Sequence, residues 1–318
     1  MVSSHLQDAM TCTAEQLRRA AYSDNTRLAY NKAWKRFQQF CDNQEIEPEA
    51  ASSDDIVNFF IWLSSLRKRN SDQKLSSGTL RLYRSALNWC FTEKDIESPA
   101  SAVRVTDVLG GLSRIRNDSP RRVKALREYD ISAMLESCSD TLFGLRDSGI
   151  ISLGFAAALR RSELCSLKME DVNFISSDRI ILTIRQSKTD QQGNGQMIAV
   201  LEGKSIRPVT RLHTWIEKTN LLHGYLFQTF RKGGHLSGKP LNHSEIPRIV
   251  KKYAEKIGLS PVDYSGHSLR AGFVTSAAVH HARLDKIMEV TRHRNPATVL
   301  QYIRDASVFE DHAGAKFL

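Results

Sequence analysis

Apolar residues recur at helical spacing through most of this chain, and strand-like chemistry is concentrated in one short stretch. Together these patterns restrict the fold to a mainly α protein carrying a small antiparallel β-sheet. From Asp24, the residues Leu28, Ala29, Trp34, Phe37, Phe40 and Cys41 mark the inner face of a helix, while Arg27, Lys32, Lys35 and Arg36 fall mostly elsewhere. A second helix is expected after an N-cap at Ser53 or Asp54, with Ile56, Phe59, Phe60, Leu63 and Leu66 as its stripe. Arg67, Lys68 and Arg69 then suit its C-terminal dipole. A third begins near Ser76 and turns Leu80, Tyr83, Leu87, Cys90 and Phe91 inward, with Arg81 and Arg84 elsewhere on its surface. A short helix over residues 103–112 completes a compact helical domain, 23–112, behind an N-terminal arm, 1–22.

Between residues 113 and 127 the periodicity fades, and Arg114, Arg116, Arg121, Arg122, Lys124 and Arg127 gather round Pro120. Charge runs are usually solvated and idle, but a basic strap between two domains is also suited to tracking phosphates. A second domain, 128–304, opens with helices over 130–137 and 150–159. The runs 179–185 and 196–201 are rich in β-branched residues and are joined through Gly193, Asn194 and Gly195, the signature of an antiparallel hairpin. Helices resume over 208–221 and 244–257, separated by a loop containing Gly233, Gly234 and Gly238. Two more follow Gly266 and Asn295, the latter with Pro296 at its first position, where a missing N–H is harmless. A tail, 305–318, ends the chain.

With 318 residues, the chain is long enough for two apolar cores. Forty-five Lys and Arg against 35 Asp and Glu give a formal charge of +10, which favours a polyanionic partner, foremost nucleic acid. The five cysteines are scattered without paired spacing, which fits a reducing compartment. No secretory signal and no apolar run of membrane-spanning length is evident, so a cytoplasmic protein, or a nuclear one in a eukaryote, is expected and no membrane partner. Neither a Gly-rich phosphate loop nor a nucleotide-binding fingerprint appears, and the adjacent His280 and His281 point in different directions, so neither ATP nor a zinc site is indicated.

Several residues have the makings of a phosphate site. Arg160 follows an apolar helix and stands three residues before Glu163. His267 and Arg270, at i, i+3, put an imidazole and a guanidinium on one helix face. His293 precedes the Pro296 helix, and Tyr302 lies about two turns into it, on a face expected to differ from that of Val299 and Ile303. Singly, each has an ordinary explanation as a core hydrogen-bonding or packing group. As an ordered set, Arg160 with Glu163, a hairpin lysine at Lys188, His267-x-x-Arg270, His293 and Tyr302 resemble the catalytic set of the tyrosine recombinases, the family of the phage integrases, Xer proteins and Cre. The helical first domain resembles that family's core-binding domain by pattern. Arg161, Ala271 and Arg292 stand where other residues are frequent in the family, glycine in the case of Arg292.

The resemblance implies a two-domain clamp on double-stranded DNA at specific sites, assembled as a tetramer and exchanging strands through a Holliday junction without metal, ATP or other cofactor. Tyr302 would form a 3′-phosphotyrosyl bond, Arg160 and Arg270 would neutralise the non-bridging oxygens, and Lys188 would protonate the leaving 5′-oxygen. His267 would assist proton transfer or hold the phosphate, His293 would donate to a non-bridging oxygen, and Glu163 would orient its neighbours. Lys204, beyond the hairpin, is the alternative lysine. Arg81, Arg84, Arg114, Arg116, Arg121, Arg122 and Lys124 are the candidate DNA contacts, and the tail is a segment for exchange between protomers. A type IB topoisomerase and a non-catalytic DNA-binding regulator are the competing functions.

Overall fold

The computed structural model describes residues 21–67, 72–117, 123–185 and 195–306. The chain forms two compact units, Met1–Arg121 and Arg122–Leu318. Most of the N-terminal arm, Lys68, Arg69, Arg121, Arg122, Lys188 and the tail from Ser307 onward lie outside the described residues.

The first unit contains helices α1 (Asp24–Asn43), α2 (Ser53–Ser65), α3 (Ser77–Glu93) and α4 (Val103–Arg116). Ser52, rather than Ser53 or Asp54, caps α2. Asp55 three residues on accepts from the Ser52 N–H (2.8 Å) while its own N–H donates to Ser52 Oγ (3.2 Å), a reciprocal box that fixes the start. The core is strongly aromatic: Phe37, Phe59, Phe60 and Phe91 are fully buried, and Phe37 meets Phe59 edge-on at 5.1 Å between centroids. Leu28 does not join it and is 54% exposed, about one turn from the start of α1, which Ser23 caps. Helix α4 runs past residue 112 to Arg116 and stops where Asn117 adopts the left-handed conformation (φ 46°). The basic stretch therefore begins on a helix.

The second unit contains α5 (Glu128–Glu136), α6 (Leu142–Ala156), α7 (Arg161–Ser166), α8 (Pro208–Thr219) and α9 (Glu245–Lys256) together with a three-stranded antiparallel sheet. Its strands are β1 (Val172–Ser176), β2 (Arg179–Ile184) and β3 (Gln196–Leu201), with β2 central. The expected hairpin pairs Arg179 with Leu201 and Ile184 with Gln196. Ile180, Leu182, Ile184, Ile198 and Val200 all face the core, as the two-residue period requires. A second hairpin, β4 (Gln228–Phe230) with β5 (Leu236–Pro240), occupies the segment read as a Gly-rich loop. Gly233 and Gly234 close it with φ of 90° and 81°.

Helix α6 starts at Leu142, not 150, and ends at Ala156 rather than Leu159. Thr141 caps it, and the early turns hide charged groups instead of exposing them. Arg146 and Asp147 pair at 2.9 Å with both side chains buried, and Lys252 Nζ reaches the same carboxylate at 3.1 Å. A helix buried on all sides has no polar face and so no readable stripe. Three helices complete the unit: α10 (Gly266–Val279), α11 (Leu284–Thr291), which the pattern did not indicate, and α12 (Pro296–Ala306). They enclose a small separate core of Val274, Ile287 and Val299. No helix among the described residues is long and apolar enough to cross a membrane.

Candidate active site

Helix α6 ends in a turn that leads directly to the first arginine. Ala158 takes a left-handed conformation (φ 47°), and Arg160 becomes the N-cap of α7. Glu163, at the third position of α7, reaches back: its Oε2 accepts from the Arg160 N–H and its Oε1 from Arg160 Nη1, both at 2.7 Å. Glu163 is fully buried while the Arg160 side chain retains 21% exposure, so the carboxylate is interior and the guanidinium opens outward.

The second cluster comes from α10. Ser265 caps it by accepting from the His267 N–H (3.2 Å), and the buried Ser268 returns the bond to the Ser265 N–H (3.0 Å). Gly272 lets this helix press against the chain at Leu126, because a β-carbon there would overlap the Leu126 carbonyl. The helix places His267 and Arg270 one turn apart. Arg270 is 2% exposed and donates to the carbonyls of Ala158 (2.7 Å) and Thr291. Burial first, then the charges of Arg160 and Arg292, press its pKa down to about 9. A guanidinium so destabilised in its charged form is poised to accept an anion.

Arg292, noted in the sequence only for standing where glycine is frequent, is the residue that the reading missed. It caps the C-terminus of α11 with φ 56° and sends a buried side chain to Glu163 Oε2 (2.7 Å) and the Ala158 carbonyl (3.4 Å). Arg160 Nη2 in turn lies 3.5 Å from the Arg292 carbonyl. Three guanidiniums thus crowd one carboxylate. The frequency of glycine at a left-handed helix end was the available signal, since a side chain there is conspicuous.

His293 Nδ1 is 2.8 Å from Thr291 Oγ1, and the Thr291 hydroxyl donates to the Ile287 carbonyl at 2.7 Å. That carbonyl only accepts, so the threonine oxygen is left to receive the Nδ1 proton, and the neutral ring carries its lone pair on Nε2. Burial, followed by Arg270 and Arg160, lowers the His293 pKa to about 4. The His267 pKa is lowered too, by loss of solvent around its ring first and then by Arg270, Arg160 and Arg161, although the residue as a whole keeps an exposed side. Its Nε2 lies 2.9 Å from Tyr302 Oη. Helix α12 is capped by Asn295, whose Oδ1 accepts from the Ala297 N–H (2.9 Å). Tyr302 packs with Ile303 against the same cluster that contains Val299, not on a different face as expected.

Five of the six expected reacting groups, with Glu163, therefore converge, while Lys188 lies outside the described residues and Lys204, the alternative lysine, is exposed in the turn after β3. The candidate DNA contacts divide. Arg81 and Arg114 are exposed, and Lys124 is exposed but pairs with Asp263 at 2.9 Å. Arg84 donates to the Ala100 carbonyl (2.9 Å), and Arg116 to the carbonyls of Leu75 (2.7 Å) and Ser64. Those two guanidiniums are occupied in holding the first unit together. Among the described residues no three His, Cys, Asp or Glu side chains gather to hold a metal ion.

Known proteins match this chain over most of its length. The profile of the Phage integrase family matches residues 124–307, and that of the Phage integrase, N-terminal SAM-like domain matches residues 11–94. An integrase/recombinase XerD homolog from Selenomonas ruminantium is 31% identical over 298 residues, covering 92% of this chain and 84% of that protein. Tyrosine recombinase XerD of Pseudomonas aeruginosa is 26% identical, covering 88% and 86%. Among solved structures, XerH site-specific recombinase in a post-cleavage complex with palindromic difH substrate shares the fold with a TM-score of 0.65, at 16% identity and covering 97% of this chain and 86% of that one. A lambda integrase dimer bound to a COC′ core site gives 0.57 at 17% identity, covering 89% and 90%. The chain belongs to the phage integrase family and is a tyrosine site-specific recombinase. Neither a topoisomerase nor a non-catalytic regulator is favoured.

Proposed function

We propose that this recombinase binds double-stranded DNA at specific sites and breaks one strand at a time by attack of Tyr302 Oη on phosphorus. The bond formed is a 3′-phosphotyrosyl ester, and the bond broken is that to the 5′-oxygen. The observation that carries the reading is the 2.9 Å approach of His267 Nε2 to Tyr302 Oη beside Arg160 and Arg270. His267, held neutral, takes the phenolic proton in the tautomer with its hydrogen on Nδ1. The phosphorane spreads negative charge over its non-bridging oxygens, and Arg160 and Arg270 neutralise it as fixed forks in a partly desolvated site.

His293 enters differently from the simple donor expected. With Nδ1–H engaged by Thr291, it donates to the phosphate only after Nε2 gains a proton, which the arriving negative charge favours. Lys188 protonates the leaving 5′-oxygen. A 5′-hydroxyl from the partner duplex then attacks the phosphotyrosyl ester and releases Tyr302, so the bond energy is conserved and ATP has no part in the balance. Successive exchanges pass through a Holliday junction within a tetramer on two DNA sites, in the compartment that holds the DNA, the cytoplasm. Arg81, Arg114 and Lys124 contribute phosphate contacts from the described surface.

The test uses plasmids carrying two copies of a site recovered by sequencing host-genome fragments covalently attached to the protein. Resolution into two circles is expected. Relaxation of supercoils without any exchange of flanking DNA would refute recombination as the outcome of the chemistry.

A further inference from the structure

Arg292 occupies a backbone position that does not call for arginine. At φ 56° and ψ 40° it sits in the left-handed region, where glycine is relaxed and a β-carbon is strained. The reason for an arginine must therefore lie in its side chain. That side chain is 4% exposed and ends on Glu163, with Nη2 2.7 Å from Oε2. Its Nε and Nη1 are buried and meet no acceptor among the described residues. A buried guanidinium with two idle N–H groups is a poor device for stability alone.

The allocation of the Glu163 oxygens shows what the side chain accomplishes. Oε1 accepts from Arg160 Nη1, whereas Oε2 is divided between the Arg160 N–H and Arg292 Nη2. Arg160 therefore makes one side-chain bond to the carboxylate, and its Nη2 is left on a long 3.5 Å contact with the Arg292 carbonyl. Without Arg292, Oε2 would be available to the second nitrogen of the Arg160 fork, and a bidentate internal pair would compete with the phosphate for that fork.

We infer that Arg292 is a positioning residue for strand cleavage: by drawing Glu163 Oε2 to itself, it fixes the Arg160 guanidinium and keeps it from being quenched by its own carboxylate. The inference rests on Arg160 being a ligand of the scissile phosphate. Arg292 acts here through Glu163, not by touching the substrate.

The test is a double-mutant cycle on single-turnover formation of covalent protein–DNA complex, using a nicked duplex bearing a recovered site at saturating concentration. Arg292→Met should slow cleavage about 10–100-fold, with DNA affinity changed less than about threefold. Arg292→Lys, which keeps a cation within reach of Glu163, should recover most of that loss. In a Glu163→Ala background, adding Arg292→Met should cost less than about threefold, because the route through the carboxylate is already gone. Should Met not be tolerated in the fold, Arg292→Gly, which suits the left-handed backbone, takes its place with the same expectation.

Wild-type cleavage rates in Arg292→Met, or an equal loss in both backgrounds, would overturn the inference while leaving Arg160 and Tyr302 in their roles. A wild-type protein that forms no covalent bond through Tyr302 would overturn the reading of the site and this inference with it.

Discussion

Replacing Glu163 by alanine removes a fully buried carboxylate that accepts three hydrogen bonds at 2.7 Å, two from Arg160 and one from Arg292. Two guanidiniums then lose their counter-charge. The Arg292 side chain, at 4% exposure, has no route to water, whereas that of Arg160, at 21%, turns partly outward. Breaking a buried pair costs about 3–5 kcal/mol, and the freedom of Arg160 puts this case near the lower end, about 3 kcal/mol. For the roughly 200-residue second unit, at about 2–4 °C per kcal/mol, Tm should fall by about 6–12 °C. Differential scanning calorimetry of the full chain at pH 7 reads this directly. Because the pair is buried, the deficit should persist at about 1 M salt, where exposed pairs are screened. Glu163→Gln, which keeps the shape and one acceptor, should lose roughly half as much. A fall of less than about 2 °C for Glu163→Ala would refute the claim that this carboxylate neutralises the arginine cluster.

His293 titrates near 4 in the folded protein and near 6.5 when unfolded, so between those values the unfolded state binds more protons and stability falls as pH drops. By pH 5 this amounts to about 2 kcal/mol. His293→Gln should therefore show a shallower loss of Tm from pH 7 to 5 than the wild type, and parallel slopes would contradict the assignment. Arg116→Ala should destabilise the first unit by about 2–4 kcal/mol through two lost charged hydrogen bonds, seen as an earlier transition in the same calorimetry. Arg114→Ala, at an exposed position, should leave Tm unchanged and reduce the salt slope of DNA binding by about 1; the reverse pattern for these two would invert their roles.

Much of this architecture was legible because local signals and burial agree. Ser76, Pro208 and Asn295 mark helix starts by chemistry that depends on near neighbours alone, and Ile180, Leu182, Ile198 and Val200 alternate as a half-buried hairpin must. The spacing of His267 and Arg270 carried directly into one helix face. What escaped was set by long-range contacts. The early turns of α6 were hidden because Arg146 and Asp147 neutralise each other in the interior, more than 100 positions in sequence from Lys252, which completes the network. Helix α11 is short and buries only Ile287 and Thr291, too little for a stripe. Arg84 and Arg116 looked like surface charges, yet carbonyls brought near by folding claim their guanidiniums. Arg292 needed both its left-handed backbone and the location of Glu163, 129 residues away, before its contribution could be seen.

The proposed chemistry turns on a covalent bond between Tyr302 and DNA. Incubating the full chain with nicked duplexes bearing a recovered site, digesting the trapped complex with protease and nuclease, and sequencing the nucleotide-bearing peptide by mass spectrometry tests it most directly. The expected product is a nucleotide 3′-phosphate on Tyr302, with no adduct from Tyr302→Phe, which should still bind the same duplex. A nucleotide on any other residue, or an undiminished adduct in Tyr302→Phe, would contradict it.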